Sequence, residues 1–402
     1  MHAIAKSALR QEAAIIPPQR WQDEVLDQPR GLPDAVLVVF PGQHHAERLV
    51  AGVPAAARVA REVALAGFPA CSIITDAAWV ANAHLPAEFA RLAGGLKVEF
   101  ATVDGVAQHQ GSRKVLVLDG ARLPAAPAIT GLIDGVVESG FIGAVVAGDE
   151  VPAACARVLD GKASALARLN AAGRAILRAT AKPGDGIVSR SINRPISRAI
   201  SSVLLRFSGV RPIHATFGTA ALALAMIVAL TSGTRSGQIW GALLFQAASI
   251  VDGVDGEIAR ATFHTSRSGA MIDSVIDALT NLAFIMGLAL NLALQGDFRS
   301  AGVGFAGLCV LAVGLAMIGR ISARSSAPFT FDVIKDHYRS SSAGPPSRLM
   351  LAATFITSRD FFALAFVVMI LAGLPGVILE LFALSALLWL IAVVRAITAA
   401  RL

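Results

Sequence analysis

The groups in this chain best placed to do chemistry are four aspartates. Asp252 and Asp255 are three residues apart, and Asp273 and Asp277 are four apart, so on helices each pair shares one face. Ala247, Ile250 and Val251 precede the first pair, and Ala278, Leu279, Leu282 and Phe284 follow the second. These apolar neighbours predict membrane-spanning helices. A carboxylate inside such a helix costs about 2.5–3.5 kcal/mol on insertion scales, so the cluster needs compensation. A hard divalent cation compensates through carboxylate oxygens, and a two-metal carboxylate site clamps a phosphate. Paired intramembrane acids also suit a proton or ion pathway.

The elements that must carry these acids show in the composition. Hydrophobic residues make up 55% of the 402-residue chain and charged residues 16%, against about 25% charged in soluble proteins. The apolar excess is uneven, so part of the chain is expected in a membrane and part outside it. Six apolar spans are read at 216–232, 239–255, 269–294, 303–318, 361–374 and 377–397. The fifth begins at Arg359 and Asp360 and is extended back toward Leu349 with that pair buried in protein. Several spans fall short of the ~20 residues that cross a bilayer.

Basic residues orient the spans. The turns at 233–237 and 296–300 carry one arginine each, Arg235 and Arg299, and the turn at 373–376 carries none. The opposite side holds Arg260, Arg267, Arg320, Arg324, Lys335, Arg339, Arg348, Arg395 and Arg401, together with the aspartates. By the positive-inside rule that side is cytoplasmic, in the inner (cytoplasmic) membrane. The net charge of +7 favours anionic lipid or phosphate partners. With one tyrosine and no aromatic-rich basic patch, nucleic acid is excluded as a partner. Cys71, Cys155 and Cys309 have no metal or redox spacing, which fits a reducing compartment. The first 20 residues have no continuous apolar core and are not read as a signal peptide.

Residues 1–34 are polar and proline-containing and are read as a flexible segment. Residues 35–165 alternate short apolar runs at 35–40, 70–75, 114–118 and 143–147 with helical spacing at 54–67 and 129–138. This pattern predicts a layered α/β domain. Its segment FPGQHHAERLVAGVPAAARVA resembles the glycine-rich turn and V-P-K stretch of the sugar-type nucleotidyltransferases through Gly42, Arg48, Leu49, Val53 and Pro54. Gln43, His44 and His45 interrupt the glycine turn, and Ala55 stands in place of the lysine. A phosphate cradle needs close backbone approach and positive charge, so the domain is expected to be nucleotidyltransferase-like but inactive.

Residues 166–210 are read as a linker with a juxtamembrane helix. Ile192, Ile196, Ile200, Val203 and Phe207 recur at helical spacing among Arg190, Arg194, Arg198 and Arg206. That is a basic amphipathic helix suited to a membrane surface, with Asn193 as its cap and Pro195 in its first turn. Residues 211–402 form the transmembrane domain.

The full spacing D-x2-D-G-x2-A-R-x8-G-x3-D-x3-D runs through Asp252, Asp255, Gly256, Ala259, Arg260, Gly269, Asp273 and Asp277. It resembles the signature of the CDP-alcohol phosphotransferases. The junction Asp185-Gly186, Ser189-Arg190, Asn193-Arg194 resembles that of fusion proteins joining a cytidylyltransferase to a family member that transfers inositol phosphate. The resemblance implies an α-helical integral membrane domain of about six transmembrane helices. It implies transfer of a substituted phosphate from a CDP-linked donor, such as CDP-diacylglycerol or a CDP-polyol, to an acceptor alcohol, with release of CMP, in phospholipid biosynthesis. It implies two Mg²⁺ or Mn²⁺ ions on Asp252, Asp255, Asp273 and Asp277, with Asp277 as the general base. Gly256, Ala259, Arg260 and Gly269 then meet the CDP moiety, as does Thr216. The stretch Arg211–Thr216, RPIHAT, departs from the family's P-N-x-x-T, with Ile213 at the asparagine position. Arg320, Arg324, Arg348 and Arg359 are candidates for an acceptor phosphate, and a homodimer is implied. The readings outside this class are an ion-conducting transporter and a membrane scaffold, neither of which requires Gly256, Ala259 or Gly269.

Overall fold

The computed structural model describes residues 32–79, 84–105, 114–136, 142–182, 185–322 and 358–399. Arg324, Arg348, the extension toward Leu349 and nearly all of the segment 1–34 lie outside the described residues. The chain forms two compact units.

The first unit gathers the N-terminal region with residues 198–212 and 256–265. Strand β1 (Ala35–Val39) is followed by a small antiparallel ribbon of β2 (Leu49–Val50) and β3 (Val53–Pro54). Helix α1 (Ala55–Leu65), β4 (Ala70–Thr75), helix α2 (His84–Leu92), β5 (Lys97–Thr102) and β6 (Val115–Asp119) come next. They are succeeded by helix α3 (Ala126–Ile133), β7 (Gly143–Val146) and helices α4 (Val151–Leu159) and α5 (Lys162–Ala179). The main sheet has the order β5-β4-β1-β6-β7, parallel except for β7.

A parallel sheet covered on both faces needs apolar residues at successive positions, and AVLVV and VLVLD supply them. Val36, Val38 and Phe40 enter the core on one face and Leu37 and Val39 that on the other. Two expectations shift in detail. Helix α3 begins at Ala126, earlier than the expected 129, because Pro127 suits a first turn and the Ala126 N–H donates to Glu62 at 3.0 Å. Strand β5 was not expected; its half-exposed KVEFAT lacks the apolar run of the inner strands.

The second unit comprises residues 182–197, 213–255 and 266–402. A π-helical turn at Ser189–Asn193 leads into helix α6 (Arg194–Leu204). Then follow α7 (Pro212–Thr231), α8 (Arg235–Thr262), α9 (Arg267–Leu294), α10 (Phe298–Ser322), α11 (Arg359–Leu371) and α12 (Pro375–Ala399). All six expected spans are helices. Among the described residues, 212–231, 267–294, 298–320 and 375–395 are long and apolar enough to cross a membrane. Helix α8 ends in charged residues, and α11 has 13 residues.

Large side chains such as Phe217, Leu224, Val228, Trp240 and Leu388 are exposed, as an apolar solvent permits. Gly304, Gly307 and Gly314 of α10 abut Leu379, Ala383 and Trp389 of α12, where a Cβ would come within 3 Å of a neighbouring atom. Such small-residue contacts let membrane helices approach closely. The protein is an integral membrane protein with an α/β N-terminal region.

Candidate active site

Helix α8 brings Asp252 and Asp255 to the site, and α9 brings Asp273 and Asp277. Ser266 starts α9: its hydroxyl accepts from the Gly269 N–H at 3.0 Å. That N-cap satisfies one of the helix's orphan donors and sets the first turn ahead of Asp273. Gly269 is exposed, and a Cβ there would lie 2.9 Å from the Ser266 hydroxyl. The structure therefore places Gly269 in the capping turn of α9.

The acids meet. Asp273 lies beside both Asp255 and Asp252. Asp255 is buried, and the Thr216 hydroxyl from α7 donates to its Oδ2 at 3.0 Å. Thr216 thus aims an acid, a contact that the P-x-x-x-T reading did not anticipate. Among the described residues no three His, Cys, Asp or Glu side chains form a ready-made metal cage. By donor type the cluster nevertheless fits a hard divalent cation: carboxylate oxygens converge from two helices.

Arg359 lies among the acids. Its Nη1 is 3.1 Å from Asp252 Oδ1 and also pairs with Asp277 Oδ1. Under it lies a stack of aromatic rings. Phe245 and Phe284 are 4.4 Å apart, Phe284 and Phe366 5.5 Å, and the Arg359 guanidinium carbon is 5.9 Å from the Phe245 centroid. The neighbouring Asp360 accepts from Asn193 at 2.7 Å and from Ser249 at 3.0 Å, while Gln246 donates to Asn193 at 2.9 Å. Arg359 and Asp360 are half-buried, and the partners of the pair are identified.

The juxtamembrane segment departs from its expected form. Asn193 does not cap a helix. It closes the π turn, is buried, and spends its amide on Asp360 and Gln246. A π turn adds a residue to the helical repeat, which turns Asn193 and Arg194 inward while Ile196 and Val203 stay exposed.

Arg194 is bidentate to Asp185 at 2.8 and 3.1 Å. Burial pushes the Asp185 carboxyl up, but the Arg194 guanidinium outweighs it and holds the group below its ordinary value. Gly253 makes room for this pair, since a Cβ there would meet Arg194 Nη1 at 3.3 Å. Sequence reasoning passed over Gly253, Ser249, Asp360 and Asp185 as site residues. For Ser249, Asp360 and Asp185 the only signal was a polar residue within an apolar span or beside an arginine or glycine. A cavity of about 160 Å³ opens among Lys182, Arg194, Asp252, Asp277, Arg359 and Asp360.

The remaining signature residues of α8, Gly256, Ala259 and Arg260, fall in the first unit. Arg260 donates through Nε to the Thr180 carbonyl at 2.9 Å. Its guanidinium folds back over Gly256, where a Cβ would come within 3.0–3.4 Å of it. Arg320 is exposed at the end of α10.

Residues 211–397 match the family model described as CDP-alcohol phosphatidyltransferase. The chain is 38% identical over 116 residues to the bifunctional IPC transferase and DIPP synthase of Aquifex aeolicus, covering 29% of this chain and 26% of that protein. The protein of the same name from Thermococcus kodakarensis is 39% identical over 117 residues, 29% of this chain and 26% of that protein. The phosphatidylinositol phosphate synthase of Mycobacteroides abscessus is 34% identical over 105 residues, 26% of this chain and 46% of that protein. The match thus spans about a quarter to a half of these relatives' length. Residues 211–397, which hold the four aspartates and the spans that carry them, are thus similar to the CDP-alcohol phosphatidyltransferase family.

Proposed function

We propose that the protein moves a substituted phosphate group from a CDP-linked donor, CDP-diacylglycerol or similar, to the hydroxyl of an acceptor alcohol. The acceptor oxygen bonds to phosphorus, the bond to CMP breaks, and the hydroxyl proton passes to Asp277. The observation that carries this reading is the meeting of the acids from α8 and α9, with Asp273 beside Asp252 and Asp255, next to a cavity bordered by cations. When bound there, two Mg²⁺ or Mn²⁺ ions supply charge neutralisation of the phosphate oxygens and of the departing CMP. Asp252, Asp255, Asp273 and Asp277 would hold them, with Thr216 fixing the rotamer of Asp255.

Gly256, Ala259, Arg260 and Gly269 border the CDP moiety in this reading, and Arg320 and Arg359 are the described candidates for an acceptor phosphate. The relatives' names support a phosphorylated inositol among the substrates to test. An ion pathway leaves the glycine and alanine positions of the signature and the buried arginine without a role. The test is incubation of purified protein with CDP-diacylglycerol or CDP-inositol and a panel of alcohols, following CMP. Acceptor-dependent CMP release is the expected result, and its absence with every pair would overturn the reading.

The same reading puts the protein in the inner membrane, with the site and the α/β region toward the cytoplasm by the positive-inside pattern, and takes it as a homodimer. The domains are taken as 35–165, 166–210 and 211–402. The α/β region is read as inactive. After Gly42 a helical turn occupies the place of a glycine loop, Arg48 is held by Asn170 at 3.1 Å, and Ala55 is fully buried. At the end of β6, Asp119 is occupied by Arg122 at 3.2 Å and by Arg168 at 3.5 Å. Full-length protein given CTP and a sugar or polyol phosphate is expected to release no pyrophosphate, checked by a coupled phosphate assay. Formation of a CDP-linked product would show the domain to be active.

A further inference from the structure

Arg359 is in an unusual position for a cation beside a metal-type acid cluster. Its side chain is 11% exposed, and Nε, Nη1 and Nη2 are buried without a hydrogen bond of normal geometry. What holds it is charge: Asp252 and Asp277, two of the four acids, face the same guanidinium nitrogen. The backbone at this point is fixed independently, because Asp360 is tied to Asn193 and Ser249. The side chain therefore has room to change partners while its anchor stays.

The oxygens it engages are the ones a divalent ion would need. Four carboxylates against one guanidinium leave the cluster strongly negative. Two divalent ions would cancel the carboxylates and leave the guanidinium in surplus, with its planar fork suited to an anionic oxygen.

We propose that Arg359 is a resident counter-ion that divalent metal displaces. Before metal loading it neutralises Asp252 and Asp277; loading releases it into the adjoining cavity, toward an anionic oxygen of the substrate. Metal and arginine compete for the same acids, so the site becomes competent to hold an anion only once metal is present. This rests on the reading of the aspartates as the metal site, but not on the identity of donor or acceptor.

The test is Mn²⁺ titration of the purified full-length protein, followed by electron paramagnetic resonance without any nucleotide, with thermal unfolding in EDTA and in saturating Mn²⁺. Removing a cation this close to two ligands frees both carboxylates and relieves its repulsion of the metal, so Arg359→Gln is expected to bind Mn²⁺ about tenfold more tightly than wild type. It is also expected to unfold at a lower temperature than wild type in EDTA, with the gap narrowing in Mn²⁺. Arg359→Lys keeps the charge, but its shorter side chain does not carry the cation to the position that Nη1 holds between Asp252 and Asp277, and it is expected to bind Mn²⁺ about threefold more tightly. It serves if the glutamine variant does not fold.

Equal or weaker Mn²⁺ binding by the folded variants would overturn the exchange, as would absence of Mn²⁺ binding by the wild type. Release of CMP together with unchanged Mn²⁺ affinity in the variants sinks this inference alone. Tighter Mn²⁺ binding without CMP release from any CDP donor leaves it standing and sinks the reaction.

Discussion

With Asp277 acting mainly as the base and metal still held by Asp252, Asp255 and Asp273, Asp277→Asn is expected to keep metal and donor binding and to lose turnover by roughly 10² to 10⁴, the usual size for a general base. The amide preserves the size of the side chain but cannot take the hydroxyl proton. Asp277 suits the task because it stands one helical turn beyond Asp273 and its side chain remains 33% exposed, which leaves an approach for an acceptor hydroxyl. Asp255→Asn is expected to fail differently. Asp255 is buried and held by Thr216, so its amide weakens metal binding without moving the base. Titration of Mn²⁺ against donor binding separates the two. Excess metal partly restores Asp255→Asn and leaves Asp277→Asn inactive. Near wild-type turnover by Asp277→Asn would remove it as base and as essential ligand.

Removal of divalent metal is expected to abolish CMP release. Lewis-acid neutralisation of transferring phosphate is worth several kcal/mol, which is about a thousandfold or more in rate. Purified protein treated with EDTA, dialysed and assayed with a CDP donor should fall to background, and Mg²⁺ or Mn²⁺ should restore it. The cluster has a guanidinium to stabilise it in the interval, so the loss is expected to be reversible and not the result of unfolding. Full turnover in metal-free buffer would eliminate the clamp.

Much of the membrane half was legible because its signals are local. An apolar run long enough to cross a bilayer is read without knowing its neighbours, and all six expected spans are helices. The acids were found because a carboxylate beside such a run is expensive, and their spacing put each pair on one face. The inner strands of the α/β region were equally plain, since AVLVV and VLVLD are covered on both sides. The half-exposed β5 was not.

Contacts between residues distant in the chain belonged to the tertiary structure. Asn193 read as a helix cap because asparagine before an Arg-Pro start satisfies local rules. Its partners Gln246 and Asp360 lie 53 and 167 residues away, and a π turn aimed it at them. Arg359 read as a candidate for an acceptor phosphate at the start of a span; only the packing of α11 against α8 and α9 set it between Asp252 and Asp277. Thr216 was aligned with a nucleotide contact, and the fold gave it Asp255. Gly253 carried no signal at all, because its reason is the close approach of Arg194 and Ser197. Local pattern was enough to find the groups suited to the chemistry and the helices that carry them. Which cation neutralises those groups, and which side chains hold them in place, depended on contacts that span the chain, and a local pattern does not encode those.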